Sequence, residues 1–315
     1  MRDLEKVKGH YLNWYDTRSK KTLYPRYIST VDNGNFLANL WVVKSTLQEV
    51  RNNQLIRKEE VKAIHDIYRI IEEENPSVSC RFNDDININE YTSTLSDICV
   101  KITNFKEELC EDDKNKSEIN YWIYKIIKEI NKKINNYDCI FEGLDKLYSK
   151  DFLEGVPNIH EIIKRIEDHK QSNNGSISGE LNAKLLYLKD YESKIDNIIS
   201  EIDEITNEMD FSFLYDDERK LFYIGYNVDE DSFGETYYDL LASEARIASF
   251  ISIAKNDVPK ENWFSLNRSI TNAFHTHTLV SWTGTMFEYF MPSLIMKAYP
   301  QTLLYETYKG VIKAQ

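Results

Sequence analysis

The sequence predicts a mostly α-helical chain that carries an inserted helical bundle and a small β-hairpin. Three observations lead there. Between residues 56 and 209, Ile and Leu recur at three- and four-residue spacing, as in "INYWIYKIIKEINKKI" and "IHEIIKRIEDHKQ". That spacing places them along one face of an amphipathic helix. The stretch "FSFLYDDERKLFYIGYNV" alternates around an acidic turn, as a hairpin does. Residues 1–55 and 210–315 share a texture that the middle lacks: aromatic rings set among Asn, Asp, Gly and Thr. The two ends are therefore read as one domain. Residues 56–209 are read as three to five antiparallel helices, inserted into that domain or laid against it.

The elements follow in order. An aromatic, loop-like segment, "GHYLNWYDTRSKKTLYPRYISTVDNGN", leads into a helix, "FLANLWVVKSTLQEVRNNQ", with Asp32 or Asn33 as its expected N-cap. In the middle, "QSNNGSISGE" is a turn, and Ser178 is suited to cap the long helix after it. Beyond the hairpin, "YYDLLASEARIASFISIAK" reads as a helix with a small-residue face, and "NWFSLNRSITNAF" as a short helix or loop. "TLVSWTGTMFEYFMPSLIMKAY" begins extended and turns helical. The final "TLLYETYKGVIKAQ" is a helix without a recognisable C-cap, from which the chain is expected to be cut rather than completed.

Composition narrows the function. A net charge of −13 over 315 residues argues against a phosphate-backbone binder and against an anionic membrane surface. No nucleic-acid partner is expected. Cys80, Cys99, Cys110 and Cys139 form no C-x-x-C pair and read as ordinary thiols of a reducing compartment. The N-terminus has no apolar signal core, and the longest apolar stretch, near 279–296, is interrupted by Gly284, Glu288 and Pro292. The chain is expected to be cytoplasmic, with no membrane span of its own. No phosphate loop or dinucleotide fingerprint occurs, so no cofactor is expected. His275 and His277 make an H-x-H pair with no third ligand nearby, which reads as surface rather than metal site.

What chemistry remains lies in the carboxylates of the two ends. Sugar sites combine aromatic platforms with acids and amides, and glycoside chemistry needs two carboxyl groups. The candidates are Asp16 in "NWYDT", Asp32 in "STVDNGN", Asp239 and Glu244 in "YYDLLASEAR", and Glu288 in "GTMFEY". Asp16 and Asp32 have a plain alternative as turn or cap residues. Glu244 and Arg246, two apart, do not face each other on a helix. Arg246 is expected to pair with a carboxylate elsewhere, Asp16 or Asp239. Glu288 sits among Trp282, Met286, Phe287 and Tyr289, where desolvation is expected to raise its pKa and suit it to a general acid. A buried structural Glu is the other reading.

The motifs "GHYLNWYDTRSKKTLYPRYISTVDNGNFLANL", "FLYDDERKLFYIGYNV", "YYDLLASEARIASFISIAKNDVP", "NWFSLNR" and "LVSWTGTMFEYFMPSLIMKAYPQTLLYETY" occur in this order. Together they resemble the cyclic β-1,2-glucan synthase family in its central, glycoamylase-like (cyclization) region. The resemblance implies a fold that is part of an (α/α)6 toroid, spread over residues 1–55 and 210–315 and interrupted by the bundle at 56–209. It implies transglycosylation that closes a β-1,2-glucan into a ring. Other domains of such a synthase are the expected partners, and any place at the inner-membrane face would come through a full-length protein. Glu288 is then the catalytic candidate. Asp16, Asp32 and Asp239 would position sugars or orient Glu288. Trp14, Tyr15, Tyr237, Tyr238, Trp282 and Tyr289 would line the subsites, with Asn13, Asn35 and Thr285 as further contacts to β-1,2-glucan or its oligosaccharides. No metal is implied. A further acidic motif of the family, Trp-Gly-Ile-Ser-Glu, is not in this sequence. From that the chain is expected to be a truncated piece with little activity alone. The alternative is a non-catalytic glucan-binding or scaffolding helical module.

Overall fold

The computed structural model of the chain describes residues 3–53, 58–74, 91–108, 116–141, 144, 158–273 and 276–314. It is mostly helical with small sheets. Two compact units emerge, one made of residues 1–46 with 197–315, the other of residues 47–196. No helix among the described residues is long and apolar enough to cross a membrane.

The region read as three to five helices contains, among the described residues, α2 (Lys58–Glu74), α3 (Tyr91–Glu108), α4 (Lys116–Phe141), α5 (Ile159–Ser172) and α6 (Gly179–Glu208), which follow α1 (Thr30–Asn52). Their buried side chains keep the three/four rhythm. Leu95, Ile98 and Ile102 of α3 meet Ile119, Ile123, Ile126 and Ile130 of α4, with Ile64, Tyr68 and Ile71 of α2 closing the cluster. A second cluster joins Ile159, Ile162, Ile163 and Ile166 of α5 to Leu181, Leu185 and Leu188 of α6. Ser178 caps α6 as expected, its Oγ accepting the Leu181 N–H at 3.2 Å. Asn158 and Glu161 form a capping box at the start of α5. Cys99 and Cys139 are free thiols. Cys80, Cys110 and His275 lie outside the described residues.

The other unit holds all ten strands found among the described residues, each short and each pairing antiparallel. β1 (Lys6–Val7) pairs with β2 (His10–Tyr11). β3 (Tyr27–Ser29) pairs with β6 (Gly225–Asn227), which also holds β7 (Ser232–Phe233). The expected hairpin is β4 (Tyr215–Asp216) against β5 (Leu221–Tyr223), in register Tyr215↔Phe222. Asp216 Oδ1 fixes its turn by accepting the N–H groups of Glu218 and Arg219, both at 2.9 Å. β8 (Tyr237–Tyr238) adds to the far edge of β5. β9 (Ile270–Ala273) and β10 (Thr276–Leu279) form a separate hairpin, with His277 on β10. Ile28, Leu37, Phe211, Leu214, Phe222, Ile247 and Ile251 make the core between these elements.

Three expectations are corrected. Ser29, not Asp32 or Asn33, caps α1: its Oγ accepts the Asp32 N–H at 3.2 Å, and the helix has begun at Thr30. Asn33 instead turns back to Tyr11, exchanging hydrogen bonds with its backbone N–H and C=O at 2.9 and 3.0 Å. The stretch read as one helix from Tyr237 is a strand, a turn and only then α7 (Arg246–Ala254). Cross-strand pairing of Tyr238 with Phe222 and of Tyr237 with Tyr223 overrides the local helical pattern. The segment after it gives α8 (Glu261–Ser265) and then strand β9. The last region folds as α9 (Met286–Phe290), a 3-10 turn at Met291–Leu294 and α10 (Leu303–Ala314).

The small-residue face of α7 has a specific use. A Cβ on Gly34 of α1 would lie 2.4 Å from the Ala248 Cβ of α7. Only glycine permits that approach, which brings together the starts of two helices. Gly34→Ala is expected to destabilise the fold by about 1–3 kcal/mol through overpacking, measured by urea unfolding. An unchanged midpoint would mean that α1 and α7 are not in close contact.

Candidate functional site

The starts of α1, α7 and α9 each bring a carboxylate. Asp32 lies in the first turn of α1 and is exposed. Glu244 stands in the turn ahead of α7, where its carbonyl accepts the Ile247 N–H at 3.1 Å. Glu288 is in the first turn of α9, which Thr285 caps. The Asp32 and Glu288 charges both act on Glu244, and Glu244 and Asp32 act on Tyr238, which in turn feels Tyr27. Three carboxylates and two phenols are thus drawn into one neighbourhood, from segments far apart in the chain.

Glu288 is only 9% exposed, and its Oε2 is wrapped by the preceding turn. It accepts from Thr283 Oγ1 at 2.7 Å, from the Thr283 N–H at 2.9 Å and from Ser281 Oγ at 3.0 Å. Ser281 Oγ also takes the Gly284 N–H at 2.9 Å. Gly284 has φ +72°, the left-handed conformation this turn requires. Burial pushes the Glu288 carboxyl up, but the hydrogen bonds from Thr283, Ser281 and Thr285 outweigh it and hold the pKa below the ordinary value. The expectation of a raised pKa is overturned. Apolar neighbours in the sequence suggested desolvation; the fold supplies donors that the ionised form needs.

Glu244 behaves in the opposite way. Burial first, then the repulsion of Asp32 and of Glu288, raise its pKa. Of these two carboxyl groups, Glu244 is therefore the one that keeps its proton to the higher pH. Burial, with Glu244, Asp32 and Tyr27 adding to it, pushes the Tyr238 phenol far up, so it stays neutral and able to donate. Burial raises Tyr27 as well. Among the described residues no group of three or more His, Cys, Asp or Glu side chains is placed to hold a metal ion.

The remaining candidates have varied placements. Trp282 exposes 51% of its surface beside the Glu288 turn. Thr285 Oγ1 accepts the Glu288 N–H at 3.5 Å. Tyr289 is buried, its hydroxyl donating to Leu279 O at 2.6 Å. Tyr237 donates to Asp216 Oδ2 at 2.8 Å on the hairpin. Asp239 Oδ1 and Asn35 Oδ1 are buried with no hydrogen-bond partner among the described residues. Asn13 Oδ1 accepts the Ser29 N–H at 3.2 Å, just ahead of α1. Tyr15 is tied by its hydroxyl to Glu5 O and to the Leu12 N–H. Trp14 is exposed. Asp16 holds a surface turn through Arg18 and Ser19, as its plain reading expected. Of the residues expected to serve the site, Asp32, Tyr238 and Glu288 come together. Tyr27 was not among them, and Glu244 was a candidate carboxylate with no role assigned to it; no sequence signal places either beside Asp32.

Arg246 corrects a further expectation. It is 1% exposed, and its hydrogen-bond partners are the carbonyls of Leu241 and Tyr289 and the hydroxyl of Tyr308, with no carboxylate among them. Asp16 is at a surface turn of its own, and Asp239 does not reach the guanidinium.

Acids whose proton affinities diverge, set among phenols and an exposed indole, are the equipment of acid–base chemistry on a polar, neutral ligand. No family model matches the chain. The chain is 29% identical over 319 residues to the cyclic beta-(1,2)-glucan synthase NdvB of Rhizobium meliloti (strain 1021). The match takes in 99% of this chain and 10% of that protein. The chain is thus similar to part of a cyclic β-1,2-glucan synthase, of the family its motifs resemble, and it spans about a tenth of the length of this curated protein.

Proposed function

We propose that residues 1–46 with 197–315 form a carbohydrate site that works on β-1,2-glucan in cyclic glucan synthesis, by glycoside-hydrolase-like transglycosylation. The observation that carries this is the cluster that Glu244, Asp32 and Glu288 form with Tyr238 at the starts of three helices, beside the exposed Trp282. In this reading protonated Glu244 gives its proton to the leaving glycosidic oxygen. Ionised Glu288 faces the developing positive charge of the sugar, and an acceptor hydroxyl takes the place of water, passing its proton to the Glu244 carboxylate as the new glycosidic bond forms. Asp32 and Tyr238 bind sugar hydroxyls, and Trp282 offers a stacking face. The helices of this unit would be part of an (α/α)6 toroid. The expectation of little activity alone rested on a missing second acid; Glu244 is a candidate for that acid.

Calorimetry with β-1,2-linked gluco-oligosaccharides, and mass analysis of products from linear β-1,2-glucan, test the reading. Binding that prefers β-1,2 over β-1,3 and β-1,4 linkages, and that weakens in Trp282→Ala, is expected. Binding with no turnover, in this chain and in a longer protein containing it, would favour the non-catalytic glucan-binding module. Absence of binding would end the sugar reading.

A further inference from the structure

A guanidinium buried without a carboxylate is costly to keep, and Leu or Met would fill its volume at lower cost. Arg246 is such a group, and what it touches gives the reason. One nitrogen donates to Leu241 O at 3.3 Å, in the turn that leads to Glu244. A second donates to Tyr289 O at 3.0 Å, the residue next after Glu288, and to Tyr308 Oη at 2.6 Å on α10, while Nε is buried with no hydrogen-bond partner among the described residues. The Tyr308 ring also lies 5.8 Å from the guanidinium carbon. The rigid planar fork of an arginine therefore bolts together the two backbones that carry the acids. A lysine, a single point on a flexible stem, cannot hold both carbonyls in one plane.

We propose that Arg246 is a positioning residue that fixes the spacing between the Glu244 and Glu288 carboxyl groups. This rests on reading those two as a working acid pair. The spacing of such a pair decides both how strongly they couple and what can stand between them.

The test is a titration of the Glu244 side chain by carbon-13 NMR, with no sugar present. The groups facing Glu244 are Asp32 from α1, Glu288 from α9 and Tyr238 from β8. The coupling is read as the change in the Glu244 titration when Glu288→Gln is added, first in the wild type and then in Arg246→Lys. The change is expected to shrink in Arg246→Lys, while Asp32→Asn, the control for the signal, still shifts the titration. In whatever preparation turns glucan over, kcat is expected to fall on the order of ten- to a hundredfold with oligosaccharide binding kept. An unchanged coupling in folded Arg246→Lys overturns the proposal. If that variant does not fold, Tyr308→Phe, which removes the 2.6 Å arm alone, takes its place. A smaller coupling in Tyr308→Phe then supports the proposal, and an unchanged one overturns it. A wild type that binds no β-1,2-glucan fails the sugar reading and leaves the titration result standing by itself.

Discussion

Glu244→Gln is expected to lower turnover of β-1,2-glucan by about 10²- to 10⁴-fold, the share a positioned general acid contributes. Binding of the oligosaccharide is expected to survive, since glutamine keeps the shape and hydrogen-bonding reach of a protonated glutamate. The measurement is kcat and the binding constant side by side, in this chain or a longer protein that contains it. The wild-type rate is expected to follow a bell in pH. Its alkaline limb is set by Glu244, raised by burial and by Asp32 and Glu288; its acid limb is set by Glu288, lowered by its donors despite burial. Stability gives an independent reading with a definite sign. A carboxyl whose pKa is higher folded than unfolded stabilises at low pH and loses that contribution as pH rises through the folded value. Glu244→Gln is therefore expected to melt higher than the wild type at pH 8 and to show no such advantage at pH 4. A slower enzyme with an unmoved alkaline limb would assign the acid elsewhere.

Acid is expected to weaken the same unit through His10. This ring is fully buried, edge-on to Phe211 at 4.7 Å and tilted against Phe213 at 5.2 Å. Its Nε2 lies 2.8 Å from Asp210 O, a carbonyl that only accepts, so Nε2 carries the proton. Nδ1 is buried with no partner among the described residues, as a neutral ring allows. Burial lowers the His10 pKa to about 4, against the pull of Asp210 and Asp257. The unfolded chain protonates near pH 6.5, so it binds more protons than the folded one between the two values. The contribution is complete above pH 6.5 and is lost as pH falls toward 4, an effect of about 3 kcal/mol. Urea unfolding from pH 7 to pH 4 measures it. His10→Leu is expected to start less stable at pH 7, with the Asp210 carbonyl unpaired, but to lose less on acidification. An equal loss in both proteins would place the acid sensitivity in another group.

The difference between what was legible and what was not has a physical pattern. α4 and α5 were readable because Ile and Leu at three- and four-residue steps report burial within one element. The β4–β5 hairpin was readable because its turn residues and alternation lie side by side. The start of α7 was not: "YYDLLASEAR" has a helical texture, and its strand exists only because β5 offers an open edge. Glu288 could be picked out from its neighbours, yet its ionisation could not, since that depends on where Ser281 and Thr283 point. Glu244 could be named as a candidate acid, but nothing in its neighbours marks its role. Its environment is made by Asp32 and Glu288, which only the meeting of α1, α7 and α9 brings near.

One feature of the architecture bears on how the protein is made. β3 pairs with β6, and the stretch 47–196 is synthesised between them. At about 5–20 residues per second, that stretch takes a ribosome roughly eight to thirty seconds to emit. During that interval Tyr27–Ser29 is an edge without a mate, while the bundle, held by contacts between neighbouring helices, is free to form first. Translation speed across the bundle thus sets how long the nascent chain must wait before the sheet that joins β3 to β6 begins to assemble.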